Sequence, residues 1–155
     1  MSTIFPNLNF PDVSLKLIKD GEKKYVYDPV RKKNVVLQPE EWVRQHAIQY
    51  LSVYKSVPLS LMTEEYTIKY GTLKKRIDLL IYNSSLKPLI LAEFKSYDVP
   101  ITNETFLQAA VYNHIMKAPY LYISNGLTSY FAVIDIEKKS FSYLEEMPDY
   151  MTLVK

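Results

Sequence analysis

Two apolar runs in the middle of the chain set the strongest limit on its fold. In Arg76 to Tyr82 both alternating sets of side chains are apolar, Ile77, Leu79 and Ile81 against Leu80 and Tyr82. The same holds in Pro88 to Lys95, with Ile90 and Ala92 against Leu89 and Leu91. Successive side chains of a strand point to opposite faces, so a run that is apolar on both faces is covered on both. A third β-like run, Glu65 to Tyr70, comes first, and Gly71-Thr72 and Asn83-Ser84-Ser85 punctuate the series as turns. These runs predict a three-stranded meander at the centre of a sheet with helices on its two sides.

The helices are legible on either side of the meander. Pro39 suits a first helical position, and Glu40 and Glu41 place negative charge at the positive end of the helix dipole. Val43, Ala47, Tyr50, Leu51 and Tyr54 then recur at steps of three and four, with Glu41, Gln45 and Ile48 on a neighbouring stripe. This spacing predicts a helix from Pro39 to about Tyr54. Thr102 is a good N-cap for a second helix carrying Phe106, Leu107, Ala110, Val111, Ile115 and Met116, which Pro119 ends. Strand character returns in Tyr120 to Ser124, Tyr130 to Ile136 and Ser140 to Leu144.

Upstream, Lys24 to Tyr27 and Asn34 to Leu37 predict a hairpin about Asp28-Pro29, where Arg31-Lys32-Lys33 reads as a solubilising basic turn. Residues 1–21, with Pro6 and Pro11 and no clear period, read as an N-terminal arm without regular elements. Residues 22–155 read as a single domain, since no repeat, low-complexity tract or Gly/Ser linker interrupts them. A chain of 155 residues with 48% hydrophobic content can bury one sizeable core. The element order is that of an α/β sandwich with an αβββαβ core, a mixed central sheet flanked by helices and an added N-terminal hairpin.

Composition removes several chemistries. Without cysteine there are no disulfides, thiolate nucleophiles or sulfur-ligated zinc sites. The formal net charge of +2 neither demands nor excludes a polyanion. No segment approaches the ~20 apolar residues that span a bilayer, and the N-terminus lacks the pattern of a secretory signal, so the chain reads as cytoplasmic and membrane-free.

Asp78 and Glu93 are the exceptions in their apolar runs, where a charge is costly unless paired or metal-bound. If the two runs form a hairpin with Ser84 to Lys87 as its loop, Asn83 faces Pro88, and stepping equally away from the loop along both strands puts Asp78 opposite Glu93. The two carboxylates then lie side by side, with Cβ atoms about 4.5–5.5 Å apart, where like charges repel unless a cation lies between them. Hard oxygen ligands with no histidine or cysteine nearby suit Mg²⁺, with Mn²⁺ as an alternative. Lys95 projects from the same face as Glu93, which puts an ammonium beside the expected ion.

Asp78, fourteen intervening residues, and Glu93-Phe94-Lys95 resemble the PD-(D/E)xK signature of restriction-type nucleases, with Ile77 in place of the proline. Gln108 and Tyr112 on the following helix are similar to the Gln-x-x-x-Tyr pair of the RecB-like branch and share one helical face. Pro39 to Gln45, Lys75 to Asp78, Glu93 to Lys95, Gln108 to Asn113 and Ser124-Asn125-Gly126 resemble the N-terminal nuclease domain of type I restriction enzyme R subunits. The resemblance spans roughly residues 25–150. It implies a restriction-endonuclease-like fold and metal-dependent hydrolysis of DNA. It also implies metal ligation by Asp78, Glu93 and the Phe94 carbonyl, with Lys95 assisting and Gln108 and Tyr112 positioning Lys95 or the phosphate. An acid on the first helix, Glu41 in preference to Glu40, is implied to lean toward the site and orient a metal-bound water.

The chain contains no Gly-x-x-x-x-Gly-Lys phosphate loop, so the ATP-driven motor of complete R subunits is absent from it. The resemblance leaves room for a separate helicase, translocase or specificity subunit, and for a homodimer, as double-strand cleavage elsewhere in the superfamily suggests. Lys75 and Arg76 adjoin Asp78 and are the expected phosphate contacts.

Plainer roles exist for several of these residues. Glu41 in a first helical turn stabilises the helix by ~0.3–1 kcal/mol without any catalysis, with Arg44 available as its partner. Gln108 and Tyr112 also suit the border of an amphipathic helix. His46 and His114 lack metal-ligand spacing and are given no role. The alternative to a nuclease is a catalytically silent DNA-binding or assembly module of a restriction complex, using the arm and the tyrosine-rich surface.

Overall fold

In the computed structural model, which describes residues 5–155 and the backbone alone of Tyr70, the predicted hairpin carries a third strand. β1 (Leu17–Asp20), β2 (Lys23–Asp28) and β3 (Lys33–Val36) form an antiparallel sheet in that order. β1 falls inside the arm that the sequence leaves without elements. Only four residues long and mostly exposed, it has no apolar alternation to announce it. The rest of the arm is no loose tail either. Leu8 and Phe10 pack against the main core, the Asn9 N–H donates to the Gly126 carbonyl at 2.7 Å, and the Trp42 indole donates to the Pro6 carbonyl at 2.9 Å. Residues 1–4 of the predicted arm lie outside the described residues.

α1 (Pro39–Tyr54) follows, with proline in its first turn as expected. A six-stranded sheet then takes shape from β4 (Met62–Tyr70), β5 (Leu73–Tyr82), β6 (Pro88–Phe94), β7 (Tyr120–Ser124), β8 (Ser129–Asp135) and β9 (Ser140–Leu144), in sequence order across the sheet. Every neighbouring pair is antiparallel except β6 and β7, which run parallel and are joined by the crossover helix α2 (Asn103–Met116). A parallel pair needs such a crossover, and Thr102 and Thr105 begin it with a capping box. A last turn of helix, α3 (Tyr150–Leu153), is too short to leave a periodic signal in the sequence.

The doubly apolar strands sort into two layers. On one face Leu79, Ile81, Ile90, Ala92 and Phe94 pack under α1 through Val43, Ala47, Ile48 and Leu51. On the other, Ile77, Leu80, Leu91 and Ile123 pack under α2 through Phe106 and Ala109. Covering the sheet on both faces removes both apolar sets from water at roughly 25 cal/mol per Å². Leu79↔Ala92, Leu80↔Leu91 and Ile81↔Ile90 follow the expected register. An irregularity between Ile81 and Tyr82 then brings Tyr82, and not the predicted Asn83, opposite Pro88. The cause is the tight turn, in which the Asn83 carboxamide oxygen accepts from the Ser85 and Lys87 amides. Among the described residues no helix is long and apolar enough to cross a membrane.

Candidate active site

The inside–outside alternation of β5 slips at Asp78. Ile77 faces the α2 layer, yet Leu79, two residues on, faces the α1 layer. On the neighbouring strand Glu65 takes a left-handed φ of 56° at the corresponding point, between the pairs Glu64↔Leu79 and Tyr66↔Ile77. Such a break in pairing bends a strand and re-aims its side chains. Asp78 is the residue re-aimed: its Oδ2 accepts the Phe94 N–H at 2.7 Å, holding its carboxylate against the end of β6 beside Glu93.

Glu93 is buried, and its Oε1 has no hydrogen-bond partner. Burial holds the Glu93 carboxyl well above the usual carboxylate range, and Asp78 raises it further, by its charge and as acceptor of the retained proton. Lys75 and Lys95 act in the opposite sense. The Lys75 ammonium lies 3.8 Å from Glu93 Oε2 and 5.4 Å from the centroid of the Tyr112 ring. Glu93, Lys95, Lys75, Gln108 and Tyr112 line one narrow crevice between β6 and α2. The structure therefore brings together five of the residues singled out in the sequence, and Asp78 borders them through β6. The Phe94 side chain points into the opposite layer, leaving its backbone beside Glu93.

The two glutamates at the start of α1 have different surroundings. Glu40, exposed on the first turn of α1, is raised above its ordinary value by partial desolvation, then by the charge of Asp78, with Arg44 and Lys95 acting against it. Glu41 is instead committed elsewhere: Arg44 Nε donates to its Oε2 at 2.8 Å and Arg44 Nη2 to its Oε1 at 2.7 Å. Arg31 Nη2 donates to the same Oε1 at 2.7 Å, and the Gln45 amide to Oε2 at 3.1 Å. One helical position, about 100° of rotation, separates the two glutamates. Glu41 shares a stripe with buried Gln45 and Ile48, which is the sequence signal that it faces inward.

Glu41 belongs to a second polar cluster. Asp28, Glu41 and Glu64 hold carboxylate oxygens within 4.8 Å of one another, a spacing that could suit a metal. Two guanidiniums already neutralise them, with Arg31 Nε 2.7 Å from Asp28 and 2.8 Å from Glu64, and Arg44 Nε 3.5 Å from Glu64. Arg31, read from sequence as part of a solubilising turn, is thus a half-buried tie between the hairpin, α1 and β4. Lys32 and Lys33 beside it are exposed. Arg76 is also exposed, 3.7 Å from Glu65.

Asp28 and Glu64 are driven in opposite directions. Burial opposes the charge on Asp28, but hydrogen bonds from Glu64, Arg31 and Val30 outweigh it and lower its pKa to about 2. Burial, then Asp28, pushes Glu64 up to about 9. A raised acid binds its proton more tightly folded than unfolded, so its contribution to stability is whole below the unfolded value and fades as pH rises toward the folded one. Glu64→Gln, which mimics the protonated acid, is accordingly expected to match the native protein near pH 4.5 in urea unfolding. Above that it should gain on the native protein by up to about 1.4 kcal/mol per pH unit. A difference between the two proteins that does not change with pH would show that Glu64 keeps its ordinary pKa in the fold.

The family model for the type I restriction enzyme R protein N terminus matches residues 39–148. In a solved structure, the fragment of a putative HsdR subunit of a type I restriction enzyme from Vibrio vulnificus YJ016 is similar in fold, with a TM-score of 0.53 at 18% identity. The match covers 76% of this chain and 25% of that one, so the present chain corresponds to about a quarter of that fragment. No curated protein matches. The family match takes in α1, the six-stranded sheet and α2, every element that borders the crevice, and the chain belongs to the family of type I restriction enzyme R protein N-terminal regions.

Proposed function

We propose that this chain is a Mg²⁺-dependent DNA nuclease domain with a PD-(D/E)xK site, using Mn²⁺ as an alternative ion. The observation that carries the reading is the meeting of Asp78, from the irregularity within β5, with Glu93 and Lys95 at the end of β6, with Gln108 and Tyr112 across one crevice. A buried carboxylate with an unpartnered oxygen beside a second carboxylate fits a divalent cation, since an ion would satisfy the oxygen and cancel the repulsion. Asp78, Glu93 and the Phe94 carbonyl would hold it. Such an ion supplies Lewis acidity and lowers the pKa of bound water.

The remaining work falls to side chains. Lys95 places a positive charge beside the attacking water and offsets the negative charge that grows on the phosphate oxygens. Gln108 and Tyr112, four residues apart on α2, fix where the Lys95 ammonium sits. Glu40 takes the role first assigned to Glu41 and orients water from the α1 side. Lys75 reaches the phosphate from within the crevice and Arg76 from the exposed rim. DNA is the polymer in this reading, and a separate motor or specificity subunit is the fitting companion. The silent-module reading uses the arm and the tyrosine-rich surface, and within that arm Pro6, Leu8, Asn9 and Phe10 are engaged with the body of the domain.

Calorimetric titration with Mg²⁺ or Mn²⁺ should show uptake that Asp78→Ala abolishes, and supercoiled plasmid should be nicked only when the metal is present. No uptake at millimolar metal by the native chain would leave a DNA-binding or assembly module in place of the enzyme.

A further inference from the structure

Away from the crevice, β9 ends the six-stranded sheet, and among the described residues no strand pairs with its outer edge. All five of its residues are exposed. An unpaired edge presents a row of backbone donors and acceptors ready for another strand. Beside it, α2 turns outward an apolar stripe at steps of four, Leu107, Val111 and Ile115, exposed by 61%, 49% and 38%. A groove of about 450 Å³ runs between this stripe and β8–β9, bordered by Ile134, Ile136 and Phe141. Contiguous apolar surface of this kind marks an interface.

The sequence of the edge indicates what covers it. Lys138 and Lys139 precede β9, and Glu145 and Glu146 follow it. Two copies of Ser140–Leu144 aligned antiparallel about Ser142 place Phe141 opposite Tyr143, and the basic end of each strand beside the acidic end of the other. A twofold axis repeats the same contact on both sides, so one pattern serves twice. The small Ser142 side chain lies on the axis, and the aromatic pairs flanking it add cross-strand contacts. A parallel alignment would instead bring lysines to lysines and glutamates to glutamates.

We propose that this chain forms a homodimer through antiparallel pairing of β9 with β9 of a second copy, joining the two six-stranded sheets into one and covering the α2 stripe. The inference is independent of the nuclease reading, because no residue of the crevice lies on β9.

Sedimentation of the native chain should show its average mass rising toward twice that of one chain as concentration goes from micromolar to hundreds of micromolar. Charge reversal tests the alignment. Lys138→Glu with Lys139→Glu makes both ends of β9 acidic, and Glu145→Lys with Glu146→Lys makes both ends basic. Each doubly substituted chain alone should associate at least ten-fold more weakly than the native chain, and an equimolar mixture of the two should recover association. That recovery also shows both variants to be folded. A native chain that stays monomeric throughout would overturn the proposal and leave the face to a different protein. So would a dimer indifferent to both reversals, or a mixture no tighter than its components.

Discussion

Lys95→Ala is expected to lower the rate of Mg²⁺-dependent plasmid nicking by about 10²–10³-fold, the usual loss when one preorganised charge at a reacting phosphate is removed. Metal uptake by the same variant should be nearly unchanged, because Asp78 and Glu93 remain on their strands. This separation distinguishes Lys95 from the two acids, whose replacement should remove uptake and cleavage together. Gln108→Ala should lower nicking less than Lys95→Ala does and leave metal uptake unchanged, since Gln108 borders the crevice but carries no charge. Nicking at the same rate by native and Lys95→Ala protein would point to a contaminating nuclease and end the assignment of this lysine.

Arg44→Ala should be among the most destabilising single changes in the domain, by about 3–5 kcal/mol, because it strands buried charge instead of merely deleting a contact. The Arg44 side chain holds both oxygens of Glu41 and lies 3.5 Å from Glu64, and it is only about a tenth exposed. Burial disfavours its charge, but Glu41 and Glu64 outweigh that and raise its pKa above the ordinary arginine value. Replacing both members, with Arg44→Met and Glu41→Leu together, should recover much of the loss, since a packed apolar pair carries no unpaired charge. Urea unfolding of the two variants measures both effects. A loss below about 1 kcal/mol for Arg44→Ala would place this cluster among solvent-screened surface pairs.

The parts of the fold visible in the sequence are those governed by local periodicity. The steps of three and four from Val43 to Tyr54 mark α1, and the double apolar alternation of Ile77 to Tyr82 marks a strand covered on both sides. The register of β5 against β6 was legible because their loop is short, so strand geometry leaves few ways to pair. What stayed hidden depends on residues distant in the chain. Arg31 looks like one of three basic residues in a turn until Glu64, far along the sequence, is folded against it. The choice between Glu40 and Glu41 is a matter of helix phase, settled by which of them meets Arg31 and Arg44. Asp78 reaches the Phe94 amide only because two adjacent strands break their pairing together, and no pattern within either strand signals that.

The parallel meeting of β6 with β7 also bears on the order in which the crevice assembles. Among the described residues every other join in the six-stranded sheet is a hairpin between sequence neighbours, so β4, β5 and β6 can zip on microsecond timescales from local turns. β7 docks only after the chain has travelled the length of α2, and loop closure over that distance is the slower event. The carboxylates therefore belong to the unit built from local turns, and the crevice is completed only when α2 and β7 close over it.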